Sequence, residues 1–121
     1  MLEADTKKTI ADHLQYQMNL GKLWFSRMNS GEVIVCRGER KYKVQLCPEG
    51  TPDFLVLQSE LLWDGVHATR IPSVRSIFLE VKAPKKKMTR AQEFMKRLLE
   101  AQGAIVEVVR SVEEVQNILE G

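Results

Sequence analysis

The sequence predicts an α/β or mixed α+β fold with one sheet covered by helices. Three observations carry this. Residues 4–19 repeat apolar side chains at helical spacing. Two apolar runs, Phe54 to Leu57 and Ser76 to Val81, have the length and composition of strands. The second run is followed by a strong amphipathic segment and then by another apolar strand, Ala104 to Val109. Strand, helix, strand at that spacing implies a parallel crossover, which is right-handed in nearly all proteins.

The elements follow in order. Ile10, Leu14 and Met18 recur every four residues and mark the inward face of the first helix, with Gly21 as its stop. Glu3 lies on the same face if the helix reaches it. Leu23 to Met28 reads as a strand and Asn29-Ser30-Gly31 as a turn. Glu32 to Cys36 and Tyr42 to Cys47 surround Arg37-Gly38-Glu39-Arg40 as a hairpin. Pro48 to Pro52 breaks the chain before the strand at Asp53 to Leu57. Residues 59–75, with Trp63, Asp64-Gly65 and Pro72, lack clear periodicity and read as a long loop, with Trp63 packed as a lid on the core. Ser76 to Lys82 is a strand stopped by Ala83-Pro84. Thr89 starts a helix with the stripe Ala91, Phe94, Met95, Leu98 and Leu99, ended by Gly103. Ser111, with Glu114 at capping-box spacing, starts a last short helix to about Leu119.

At 121 residues the chain is expected to be a single domain, residues 1–121, with one core. Its 44% hydrophobic and 28% charged content is that of a globular protein. No apolar run approaches the ~20 residues of a membrane span. Met1 to Asp12 lacks a signal-peptide stretch, so a cytoplasmic protein without a membrane partner is expected. Cys36 and Cys47 fit no zinc or redox spacing and are expected to be small buried hydrophobes. His13 and His67 form no ligand cluster with them, which argues against structural zinc.

Net charge is only +2, yet it is segregated. Residues 82–97 carry Lys82, Lys85, Lys86, Lys87, Arg90, Lys96 and Arg97 against Glu93 alone. Residues 98–121 carry Glu100, Glu107, Glu113, Glu114 and Glu120 against Arg110. Taken alone the stretch reads as a solvated lysine-rich turn, but a local cationic surface attracts a polyanion even on a nearly neutral chain.

The chemistry-bearing residues are Asp53, opening one strand, and Glu80-Val81-Lys82, closing another. Strand alternation turns Glu80 and Lys82 to one face and Val81 to the other. Phosphodiester hydrolysis needs an activated water and positive charge to offset the transition state. Asp53 and Glu80 offer hard anionic oxygens suited to Mg²⁺ or Mn²⁺, and the Val81 carbonyl lies between two site residues. Lys82 is suited to orienting or deprotonating the water. Singly, each motif has an ordinary structural role: a Pro-Asp turn, an ion-pair stripe, a Thr89/Gln92 capping box. Together they compose a site.

The ordered segments Gly50-Thr51-Pro52-Asp53-Phe54-Leu55, Phe78-Leu79-Glu80-Val81-Lys82, Met88-Thr89-Arg90-Ala91-Gln92, Gly103-Ala104-Ile105-Val106 and Val108-Val109-Arg110-Ser111 resemble the virus-type replication-repair nuclease (VRR-NUC) family of the PD-(D/E)XK superfamily. The resemblance spans essentially the whole chain. It implies a restriction-endonuclease-like core with a central mixed β-sheet flanked by helices, a metal site from Asp53 and Glu80, a catalytic Lys82, Gln92 as the family's helix glutamine, and Glu3 as its first-helix acid. It further implies a structure-selective DNA endonuclease, a four-way junction resolvase acting as a homodimer, with no small-molecule cofactor. Alternatives are a flap or nicking nuclease on branched or single-stranded DNA, and an inactive DNA-binding module. Lys85, Lys86, Lys87 and Arg90 follow the catalytic strand, and Arg27, with Arg37, Arg40, Lys41 and Lys43, extends the expected DNA surface. Such contacts position nucleic acid without reading bases.

Overall fold

The computed structural model describes residues 2–29, 32–63 and 70–121, without the side chains of residues 32, 45, 61–63, 70 and 71. The elements are α1 (Glu3–Asn19), β1 (Trp24–Arg27), β2 (Glu32–Arg37), β3 (Arg40–Gln45), β4 (Phe54–Trp63), β5 (Arg70–Val81), α2 (Arg90–Ala101), β6 (Ile105–Val109) and α3 (Val112–Glu120). The main sheet runs β1-β4-β5-β6. Its first two pairings are antiparallel and the β5–β6 pairing is parallel, joined through α2 as the strand–helix–strand pattern predicts. The fold is therefore mixed α+β. Among the described residues no helix is long and apolar enough to cross a membrane.

Alternation on the strands decides which face becomes the core. Ile77, Leu79 and Val81 of β5 and Phe54 and Val56 of β4 are fully buried. They pack with Ile10 and Leu14 of α1 and Val115 of α3 in one cluster, and Met18 lies against it half-buried. Removing one such side chain to alanine costs about 2–5 kcal/mol. The intervening residues of β5, Phe78 and Glu80, face the other side of the sheet, where α2 lies against β6.

That second face is covered thinly. The stripe on α2 is less buried than its spacing predicts: Phe94 is 60% and Leu98 48% exposed. The expected hairpin is β2–β3, a separate ribbon with Val33 opposite Val44 and Val35 opposite Tyr42. Among the described residues no other element packs closely against it; Cys36 is exposed and not buried, and Cys47, just beyond β3, is half-buried. The expected turn at Asn29-Ser30-Gly31 reaches residues outside those described.

The long loop expected over residues 59–75 is corrected. β4 continues to Trp63 and β5 begins at Arg70, so most of that stretch is an antiparallel ladder. Pro72 misled the expectation. It pairs with Leu61 outside the stretch of β5, Ile77 to Val81, that is paired with β6, so among the described residues it lies where β5 is an edge on that side. The Trp63 side chain, and with it the lid expectation, lies outside the described residues. The extended ladder also carries Arg75, opposite Gln58. Arg75 bonds the Gln58 side chain and donates to the Leu119 and Gly121 carbonyls at 3.4 and 3.2 Å. Gln58 donates to Leu119 O at 3.0 Å. These two side chains satisfy the open carbonyl end of α3 and hold it on the sheet.

The helix ends agree with the capping signals, with one difference. Thr89 and Gln92 form both halves of the capping box. Ser111 accepts from Glu114 N, but the Glu114 carboxylate takes the Arg110 N–H at 2.6 Å in place of the reciprocal bond.

Candidate metal and nucleic-acid site

The site forms where the start of β4, the end of β5, the first turn of α1 and the first turn of α2 meet. Asp53 is fixed from two sides. Its carbonyl accepts from Met28 N at 2.8 Å, just past β1. Its Oδ2 accepts from Val81 N at 2.7 Å on β5. The contact to Val81 thus runs through the N–H, and the buried Val81 side chain belongs to the core.

Glu80 and Lys82 share one face of β5, as alternation requires, and both are buried, 3% and 9% exposed. The Lys82 Nζ stands 3.6 Å from Glu80 Oε1. The same oxygen accepts from Gln92 Nε2 at 2.7 Å. Among the described residues Glu80 Oε2 has no hydrogen-bond partner although it is buried. An uncompensated buried carboxylate oxygen is costly, and a cation is the partner such an oxygen favours. Burial, and after it the Asp53 carboxylate, push the Glu80 pKa up to about 7, against the opposing pull of Lys82 and Lys7.

Gln92 reaches Glu80 because of Gly50. Gly50 is buried at φ +88, and a Cβ there would stand 2.3 Å from the Ala91 carbonyl oxygen. Only glycine allows the chain before Asp53 to touch the first turn of α2 backbone to backbone. This contact brings the Asp53 and Gln92 segments to the same place.

Glu3 also joins the cluster. Its Oε1 accepts from Ala83 N at 3.3 Å, immediately after Lys82. One turn on, Lys7 bridges the acids: its Nζ is 3.1 Å from Asp53 Oδ1 and 3.6 Å from Glu3 Oε2. Burial disfavours the Lys7 ammonium, but Asp53, with Glu3 and Glu80, outweighs it and holds the pKa above the ordinary lysine value. Sequence reasoning missed Lys7. The signal was present, since residues four apart on a helix share a face and Glu3 had already been placed there. Among the described residues no three acidic, histidine or cysteine side chains form a closed metal-ligating cluster.

The donor chemistry fits a hard divalent cation. Asp53 and Glu80 would hold it, with Glu3 near by; the orphaned Glu80 oxygen is the observation that makes the fit. Beside Asp53, Lys7, Arg27, Met28 and Asn29 line a polar pocket of about 150 Å³. The exposed Arg27 lays its guanidinium 5.9 Å from the Phe54 ring centroid. Lys85, Lys86 and Lys87 are exposed between Lys82 and α2, and Arg90 is exposed at the start of α2. The turn is held in shape by an Arg110 guanidinium donating to Lys86 O at 2.7 Å and by Lys85 at φ 69. Comparisons of the chain with protein-family models and with curated proteins give no match.

Proposed function

We propose that the protein is a divalent-metal-dependent, structure-selective DNA endonuclease of the VRR-NUC kind, acting on four-way junctions as a homodimer. The observation that carries this reading is the buried Glu80, with one oxygen held by Gln92 and Lys82 and the other unpartnered beside Asp53. A buried acid beside a second, half-buried carboxylate carries an electrostatic cost, and function accounts for its retention better than stability does.

Bound there, Mg²⁺ or Mn²⁺ would supply Lewis acidity and lower the pKa of a coordinated water. Asp53 and Glu80 would hold the ion, and Gln92 fixes the rotamer of Glu80. Lys82 sets an ammonium next to the reacting centre, where it orients the nucleophile or offsets charge on the phosphoryl oxygens. Lys85, Lys86, Lys87, Arg90 and Arg27 supply backbone-phosphate contacts that position DNA of any sequence. The exposed Phe94 and Leu98 on α2 are the apolar surface a second copy would cover, and two-fold symmetry matches paired cuts in a four-way junction.

The test is cleavage of a labelled four-way junction with Mg²⁺ or Mn²⁺ beside duplex, flap and single-stranded DNA. Glu80→Ala and Lys82→Ala are expected to bind junctions and not cut them. Normal cutting by both variants would remove the site assignment. Preferential flap cutting would replace the resolvase with a flap nuclease. Tight binding without cutting in either metal would leave a DNA-binding module. Sedimentation of the wild type against Phe94→Glu checks the dimer.

A further inference from the structure

We propose that Lys7 is a built-in counter-cation of this site, one that a divalent ion must displace in order to bind. The inference rests on Asp53 and Glu80 being metal ligands. The oxygens of the three acids are almost fully engaged. Asp53 gives Oδ2 to Val81 N and Oδ1 to Lys7. Glu3 gives Oε1 to Ala83 N and Oε2 to Lys7. Glu80 gives Oε1 to Gln92 and Lys82 and keeps Oε2 unpartnered. A cation reaching the free Glu80 oxygen can gain a second carboxylate from Asp53 most directly at Oδ1, where the Lys7 ammonium sits. Lys7 therefore neutralises the acids while metal is absent and competes with it for the same oxygen.

The two site lysines differ in kind. Lys82 comes off a rigid strand and is buried. Lys7 extends from a helix, its side chain is 29% exposed, and it borders the polar pocket with Arg27 and Asn29. A long flexible stem with an open polar volume beside it can withdraw its ammonium without stranding the charge in an apolar place. An ordinary helix-surface ion pair would leave metal affinity unchanged when removed.

The test titrates MnCl₂, without DNA, into the wild type, Lys7→Met and Asp53→Asn by calorimetry. Thermal unfolding is followed in chelator and in saturating Mn²⁺. Lys7→Met is expected to bind Mn²⁺ about tenfold more tightly than the wild type. It should also melt lower in chelator, because the acids lose their counter-charge, and gain more from Mn²⁺. Equal or weaker binding by Lys7→Met, with the wild type binding normally, overturns the proposal and leaves the metal site standing. If neither protein binds Mn²⁺ while both melt cooperatively, the metal-site reading fails and the proposal fails with it. Lys7→Gln, which keeps a polar tip, carries the same expectations should the methionine variant not fold.

Discussion

The Gln92 side chain donates from Nε2 to Glu80 Oε1 at 2.7 Å while its own Oε1 accepts the Thr89 N–H at 2.9 Å. One residue closes the cap of α2 and orients the buried acid of β5. The two ends can be separated by mutation. Thr89→Ala removes the cap oxygen alone and is expected to cost about 1 kcal/mol of stability with cleavage retained. Gln92→Ala is expected to cost a similar stability and also to lower kcat, because Glu80 loses the donor that fixes it. Equal loss of activity in both variants would mean that the cap, and not the contact to Glu80, matters.

Glu80 gives the protein a defined pH response. Its folded pKa, about 7, lies above the ordinary glutamate value of 4.5. The folded protein therefore holds a proton that the unfolded chain releases between these values. Stability is highest below that window and falls as pH rises through it, by at most about 3 kcal/mol from this group. Metal binding has the opposite sign, since it needs the carboxylate. Mn²⁺ affinity should rise about tenfold from pH 6 to pH 8, with proton release. Glu80→Gln should flatten both trends and be more stable than the metal-free wild type at pH 8. Chemical denaturation across pH in chelator, paired with calorimetric Mn²⁺ titrations, measures them. A stability curve of Glu80→Gln parallel to that of the wild type would count against the assignment.

Much of this site was legible because strand alternation and helix spacing are short-range rules. Glu80 and Lys82 on one face, the Thr89/Gln92 box and the inward Glu3 follow from them. What escaped depends on contacts across the fold. The capping role of Gln92 was a sufficient local explanation, and its second bond exists only because Gly50 lets α2 come close. Lys7 drew no attention in the sequence because its partner Asp53 is distant along the chain. The β4–β5 ladder was hidden by Pro72, whose tolerance depends on where β6 ends. The apolar stripe of α2 has helical period, yet only Ala91, Met95 and Leu99 of it are half-buried while Phe94 and Leu98 are exposed, because period says nothing of how much lies opposite.

Gly50 makes the dependence on close approach testable. Gly50→Ala places a Cβ 2.3 Å from Ala91 O and adds a positive φ of +88 that alanine resists. Neither backbone can yield without moving α2 from Glu80. A loss of about 2–4 kcal/mol is expected, with reduced activity in whatever remains folded. Gly38→Ala is the control: its φ is +60, but nothing lies within 4 Å of the added carbon. It should cost only about 1 kcal/mol and leave the site intact. Urea melts of the pair, with Mn²⁺ affinity as the site readout, would show whether the close approach or the backbone conformation dominates.

The basic turn offers a test that does not depend on chemistry at the metal. Lys85, Lys86 and Lys87 are exposed directly after the buried Lys82, in a turn whose backbone Arg110 holds. If they meet phosphates, replacing all three with alanine should weaken binding to junction and duplex alike, because phosphates carry no sequence. The dependence of log K on log salt should become shallower by about 2–3 in slope, near 0.9 for each lost phosphate contact. Folding should be almost unaffected, since exposed lysines contribute little to stability. Binding measured by fluorescence anisotropy over a salt series, in Ca²⁺ so that cleavage does not intervene, separates this from a merely solvated turn, for which affinity and slope would both stay at wild-type values.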